Sequence, residues 1–191
     1  CRLTTKNYNN LFISIIKSIK DTKEPTIFGA LQATLLGYTE DTNRFPEDID
    51  VKQAFANSIL SNQHAKETLY VIALYQVKTV LNDVTVLSAN SFSVEHMMPK
   101  KWEENWNKLD TQDEKNFRFF KLHTFGNLTI ITKNLNSKLR NSAWSNKRTV
   151  LQQYSALPLT TQYTALDEWN ETTINSRAED LEAIALQIWK K

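Results

Sequence analysis

Apolar residues recur every three to four positions through the first eighty residues of the chain, and the period then shortens. Tyr8, Leu11, Phe12, Ile15, Ile16 and Ile19 fall on one face of a helix over residues 7–20. Residues 21–25 lack that period and read as a linker. Ile27 to Leu36 predicts a second helix, with Gly37 as its stop signal. Thr39 to Pro46 is polar and turn-like, and Asp48 or Asp50 is placed to cap a third helix carrying Val51, Phe55 and Ile59. A fourth helix, from about Ala65 to Val80, turns Leu69, Ile72, Ala73 and Val77 inward. His64, between the third and fourth helices, reads as an ordinary surface histidine.

After Asn82 the pattern changes. Val84 to Leu87 and Phe92 to Val94 are short and β-prone, and His96 closes the second of these runs before a turn at Pro99. Lys101 to Asp113 predicts a short helix, with Trp102 and Trp106 as core cover rather than a base-stacking platform. Leu128 to Thr132 is a second strand, with Gly126 before it allowing a tight approach. Asn134 to Thr149 reads as one helix, on which Asn136 and Arg140 share a face, Leu139 points to the core and Trp144 has no assigned direction. Tyr154 to Pro158 breaks the pattern, and Leu181, Ile184, Ala185 and Ile188 form a last core-facing stripe ending at Trp189. The fold class is α+β and mostly α. It divides into a helical scaffold over residues 1–83 and a second region, 84–191, that holds the candidate chemistry.

Composition narrows the class. A chain of 191 residues with 41% apolar content can build a sizeable core. No apolar run approaches the ~20 residues of a membrane helix, and no signal peptide is visible at the start. A single cysteine, Cys1, excludes an internal disulfide framework and a cysteine-based zinc site, so a cytoplasmic protein is expected. Cys1 is followed at once by Arg2 and Leu3 with no initiator methionine, so the chain reads as a piece of a longer protein. The net charge of +2 conceals an asymmetry: residues 115–166 hold no Asp or Glu but eight Lys and Arg. Segregated positive charge of this kind suits a nucleic-acid partner. Lys133, Lys138, Arg140, Lys147 and Arg148 are the candidate phosphate contacts.

The residues that carry chemistry lie in the same half. Glu95 and His96 are followed by Pro99, then by Asn127 thirty-one residues after His96, and by Asn136 nine residues later. Order and spacing, not any one residue, resemble an HNH nuclease. Phosphodiester hydrolysis needs an activated water, neutralisation of the phosphoryl oxygens and help for the leaving oxygen. A neutral imidazole at His96 takes a proton from water. A hard cation, one Mg²⁺ or Mn²⁺, wants oxygen donors, and Glu95 and Asn136 offer a carboxylate and a carboxamide oxygen. Asn127 then acts indirectly: its amide bonds the backbone of the loop that carries His96 and sets the imidazole's direction. His123, read as structural, and Asn141 are further candidates.

A closer resemblance covers nearly the whole chain. Val94-Glu95-His96-x-x-Pro99, Gly126-Asn127-Leu128-Thr129, and the run from Asn136 through Leu139, Asn141 and Trp144 to Lys147-Arg148 resemble the C-terminal HNH domain of GmrSD-type, modification-dependent restriction enzymes. Trp169, Ile174, Arg177, Leu181 and Ile188-Trp189 continue it, and Phe45-Pro46 with the Tyr70–Val77 helix extend it towards the start. Met97-Met98 and Lys100 depart mildly from that pattern. The resemblance implies a His-Me finger, or ββα-metal, core inside a mostly helical domain, acting as a metal-dependent DNA endonuclease with His96 as general base. It also implies a ParB-like, nucleotide-hydrolysing N-terminal domain elsewhere in the full protein. The alternative is a catalytically degenerate HNH domain that binds DNA or a partner without cutting.

Overall fold

The computed structural model describes residues 7–20, 22, 26–40, 43–80 and 88–190. The chain divides into two compact units, 1–51 and 52–191, each considered by itself. In the first, α1 (Tyr8–Lys20) packs on α2 (Ile27–Leu36). Leu11, Ile15 and Ile19 are half-buried, while Tyr8, Phe12 and Ile16 on the same stripe stay exposed. Gly37 does end α2, but in a right-handed conformation (φ −74°), so the freedom of a glycine is not what stops the helix. In α3 (Asp48–Asn57) the Asp50 carboxylate accepts from Glu47 N and is gripped by the Arg44 guanidinium, which holds it well below the usual carboxylate range. The β-prone run at Val84 to Leu87 and the linker residues 21 and 23–25 lie outside the described residues.

The second unit is built around a two-stranded antiparallel sheet, β1 (Phe92–His96) and β2 (Leu128–Thr132). The register pairs Phe92 with Thr132, Glu95 with Thr129 and His96 with Leu128. Helix α4 (Asn62–Val80) packs against both strands, with Leu69, Ile72, Ala73 and Val77 buried as its period requires. Ile59, by contrast, lies beyond the end of α3 and is exposed.

Two helix expectations are corrected. Residues 101–111 form no helix; a single turn closes from Trp106 N to Trp102 O (3.0 Å), and the helix is α5 (Gln112–Lys121) instead. Thr111 starts it with a capping box: its hydroxyl accepts from Glu114 N while Glu114 reaches back to Thr111 N. Trp102 is buried beneath the Arg118 guanidinium, 4.5 Å from the ring centre, as core cover. The single helix expected over 134–149 is two, α6 (Lys133–Leu139) and α7 (Trp144–Tyr154), broken at Arg140 with φ 43°. Leu139 and Trp144 are both buried in the same core cluster. Five residues apart on one helix they would diverge by about 140° at ~100° per residue, so the chain turns to bury both. Arg140, at the break and exposed, therefore shares no helical face with Asn136.

After the short α8 (Pro158–Thr161), α9 (Glu171–Ile188) closes the unit. Its N-terminus is capped by Asn170, whose Oδ1 accepts from Thr172 N and Thr173 N. Leu181 and Ala185 are buried, Ile184 and Ile188 half-buried, and Trp189 exposed. Helix α9 sits hard against the tight 3-10 turn Phe125–Asn127. A Cβ on Gly126 would meet the Ile174 carbonyl oxygen at 2.0 Å, which explains the glycine by space rather than by backbone angle. Gly126→Ala is expected to destabilise the protein by about 1–3 kcal/mol or more, the usual cost of overpacking. A urea midpoint equal to that of the parent would refute this close approach.

Candidate active site

His96 ends β1, and the chain leaves the strand through Met97 and Met98, both fully buried in the core beside Trp102, Leu122 and Trp169. The loop is held by Asn127. Its Oδ1 accepts from Met98 N at 2.8 Å and from Trp169 Nε1 at 3.0 Å. Its Nδ2 donates to Met98 O at 2.8 Å and Leu122 O at 3.0 Å. The side chain is fully buried, and all four hydrogen-bonding positions of the amide are used. A flipped amide would set donors against the N–H groups of Met98 and Trp169, so one orientation is chosen. Asn127 O also accepts from Met97 N at 2.9 Å, carrying the sheet pairing past its last strand residue. The loop contact expected of Asn127 is thus present, and it reaches further than expected, because Leu122 belongs to the end of α5.

Successive strand residues point to opposite faces. Ser93 and Glu95 share one face, and both find partners there on α6 and α7. Asn136, on α6, donates from Nδ2 to Ser93 Oγ (2.9 Å) and Val94 O (3.1 Å). Its Oδ1 is turned away from those acceptors and takes no hydrogen bond among the described residues. Glu95 is nearly buried, and its Oε1 receives the Lys147 ammonium at 2.5 Å. Lys147 also donates to His96 O at 2.8 Å. Burial pushes the Glu95 carboxyl above the usual carboxylate range, with Lys147 opposing; burial pulls Lys147 down, with Glu95 opposing.

His96 follows Glu95 as the last residue of β1. Burial, then the charges of Lys100, His123 and Lys147, pull its pKa down to about 3. It is therefore neutral at pH 7, the state in which an imidazole accepts a proton. Lys100, read in the sequence only as a mild departure from the family pattern, is an exposed cation close enough for His96 to feel it. The His96 and His123 rings stand 5.9 Å apart, edge to face at 79°. Asn141, at the break after α6, contributes its carbonyl to Asn105 Nδ2 (3.0 Å) rather than any contact to His96.

The basic stretch is much less of a surface than its sequence suggests. Lys147, expected at phosphate, is fully buried: the correction follows from its place on the inner side of α7, where Glu95 and His96 O use its ammonium. Arg118 is buried against Glu171 and Asn107 O, and Lys121 donates to Ala56 O. Arg148 pairs with Asp167 at 2.7 Å. Lys138 lies over the Tyr154 ring with its side chain exposed, and Lys115, Lys133 and Arg140 are exposed as well. Three of these exposed cations thus lie on α6 or at its end, the helix that carries Asn136.

No cluster of three His, Cys, Asp or Glu exists among the described residues. The oxygen donors of Asn136 and Glu95 suit a hard divalent ion that keeps most of its waters. Lys147 already engages one Glu95 oxygen, so an ion there would share that carboxylate or displace the ammonium.

The site thus brings together a two-stranded sheet that ends in a histidine, a saturated asparagine and a helix offering an amide oxygen. Residues 45–184 match the family described as GmrSD restriction endonucleases, C-terminal domain, and the chain belongs to that family. No curated protein and no solved structure matches it. No helix among the described residues is long and apolar enough to cross a membrane.

Proposed function

We propose that this chain is a divalent-metal-dependent DNA endonuclease domain with a His-Me finger core formed by β1, β2 and α6. The observation that carries the reading is the Asn127 clamp, which fixes the loop next to a neutral His96. In this scheme His96 takes a proton from the attacking water as its oxygen bonds to phosphorus and the P–O bond to the leaving oxygen breaks. Asn136 Oδ1 and the Glu95 carboxylate would hold one Mg²⁺ or Mn²⁺, which supplies charge neutralisation at the phosphoryl oxygens. Lys147 keeps β1 and α7 together beneath His96. The exposed cations Lys133, Lys138 and Arg140 draw in the DNA backbone without reading bases. In the whole protein the domain would serve a cytoplasmic, modification-dependent restriction or phage-defence system. A ParB-like, nucleotide-hydrolysing N-terminal domain would then choose the DNA.

Plasmid nicking with Mg²⁺ or Mn²⁺, arrested by EDTA, is the direct test. DNA binding with no nicking under either metal would favour the degenerate, binding-only reading, which the Lys147–Glu95 contact is the one observation to support. Asn136→Ala is expected to raise the metal concentration needed for half-maximal nicking by at least about tenfold. Asn127→Ala should instead lower the rate at saturating metal, because the base is misplaced while the ion still binds. If excess Mn²⁺ rescues Asn127→Ala and leaves Asn136→Ala inactive, the two roles are reversed.

A further inference from the structure

Of the three histidines in the chain, two converge. We propose that His123 is a second catalytic histidine, whose imidazolium donates through Nε2–H to a phosphoryl oxygen of the scissile phosphodiester in DNA. The proposal rests on the nuclease reading above and deepens it.

His123 follows α5, in the turn where its own N–H bonds Phe120 O at 3.2 Å. Its Nδ1 lies 2.8 Å from Phe119 O. A carbonyl only accepts, so Nδ1 carries a hydrogen and that bond fixes the ring by one edge. Nε2, one ring carbon away across Cε1, has no protein partner among the described residues. The Phe119 ring, itself exposed, packs at 5.0 Å, and His96 stands edge to face at 5.9 Å. The side chain is half-buried, so the ring is held while Nε2 remains within reach of a ligand.

The same asparagine places both imidazoles. Asn127 Nδ2 donates to Met98 O, two residues after His96, and to Leu122 O, one residue before His123. A histidine serving only the fold would need the Nδ1 bond and nothing more. This one is clamped beside the candidate base with its second nitrogen unpaired by protein. A phosphodiester attacked near His96 therefore lies beside the His123 ring, and a donor at Nε2 would stabilise the charge that builds on phosphoryl oxygen.

Two substitutions separate the nitrogens. The amide of asparagine occupies the place of Nδ1, and that of glutamine reaches the place of Nε2. His123→Asn is expected to lower the nicking rate by about 10²–10³-fold with an unchanged Tm, the range seen when one oxyanion donor is lost. His123→Gln should retain more activity than His123→Asn. Wild-type nicking by His123→Asn, with loss only in His123→Gln, would make His123 a structural residue and overturn the proposal.

A second measurement does not depend on cleavage. Imidazole proton resonances are followed in EDTA while a hydrolysis-resistant phosphorothioate duplex is added. His123 should shift, and His64 on α4, which pairs with Ser61, should not. An unmoved His123 overturns the proposal even if the wild type cuts. A shifted His123 in a protein that does not nick under any metal supports the contact and sinks the nuclease reading instead.

Discussion

His96→Ala is expected to lower the rate of DNA nicking by about 10²–10⁴, the usual cost of a lost general base. Folding should be nearly unaffected, because the side chain is half-buried and the hydrogen bonds that hold this loop belong to Asn127 and to backbone groups. DNA affinity should change little, since the exposed cations on α6 remain. The pH dependence is part of the same expectation. His96 is held down to about 3 from an ordinary value of 6.5, so it is in the proton-accepting state throughout the neutral range. The nicking rate should accordingly show no His96 titration near pH 6.5. For stability the sign is fixed by linkage. Below pH 6.5 the unfolded chain takes a proton at this position and the folded chain does not, so His96 costs stability progressively as pH falls from 6.5 towards 3. His96→Ala should flatten that part of the stability profile. A variant that nicks at the parental rate would remove His96 from the mechanism.

The second large effect lies away from the chemistry. Arg177, on α9, is fully buried, and its guanidinium donates to four backbone carbonyls: Phe125, Gly126, Leu128 and Leu159. Burial pulls its pKa down to about 10, with Tyr163 and Asp180 opposing, which leaves it charged at neutral pH. This one side chain ties α9 and α8 to the turn that carries Asn127. Arg177→Ala leaves those carbonyls unpaired around a cavity, and each buried unsatisfied acceptor costs roughly 1–3 kcal/mol. A total on the order of 4–5 kcal/mol is expected, most of what a domain of ordinary stability can lose. Tm should fall by more than about 10 °C. Arg177→Lys should rescue little, because one ammonium cannot span acceptors that a planar fork reaches. A Tm within two or three degrees of the parent, on the order of a single kcal/mol, would show that the four bonds are not what holds this turn.

The two expectations differ in how they can be read. His96 and Asn127 were legible because their chemistry is local in type and ordered in sequence: a histidine before a turn, then an asparagine in a glycine-led turn before a strand. Asn127 was assigned to the His96 loop from that order, and its amide bonds Met98 on both sides. The helical periods of α1, α2, α4 and α9 were legible for a similar reason. A burial stripe recurring every three to four residues leaves one way to fold locally.

What the sequence by itself determined, then, is the order of most elements, most of the inward faces, and a set of residue types suited to hydrolysis. The tertiary structure decided which charged groups meet solvent. Lys147 reads in the sequence as a candidate phosphate contact and Arg177 only as part of the family pattern, yet both are fully buried, because acceptors distant in sequence close around them. Only packing decided the break at Arg140, since Leu139 and Trp144 must reach one core, and only packing drew Trp102 under Arg118 while Thr111 began the helix ten residues later than expected. It also decided the place of His123. Twenty-seven residues separate it from His96, and no pattern in the chain links them. The link is one buried amide that can be satisfied only when both segments offer it their carbonyls.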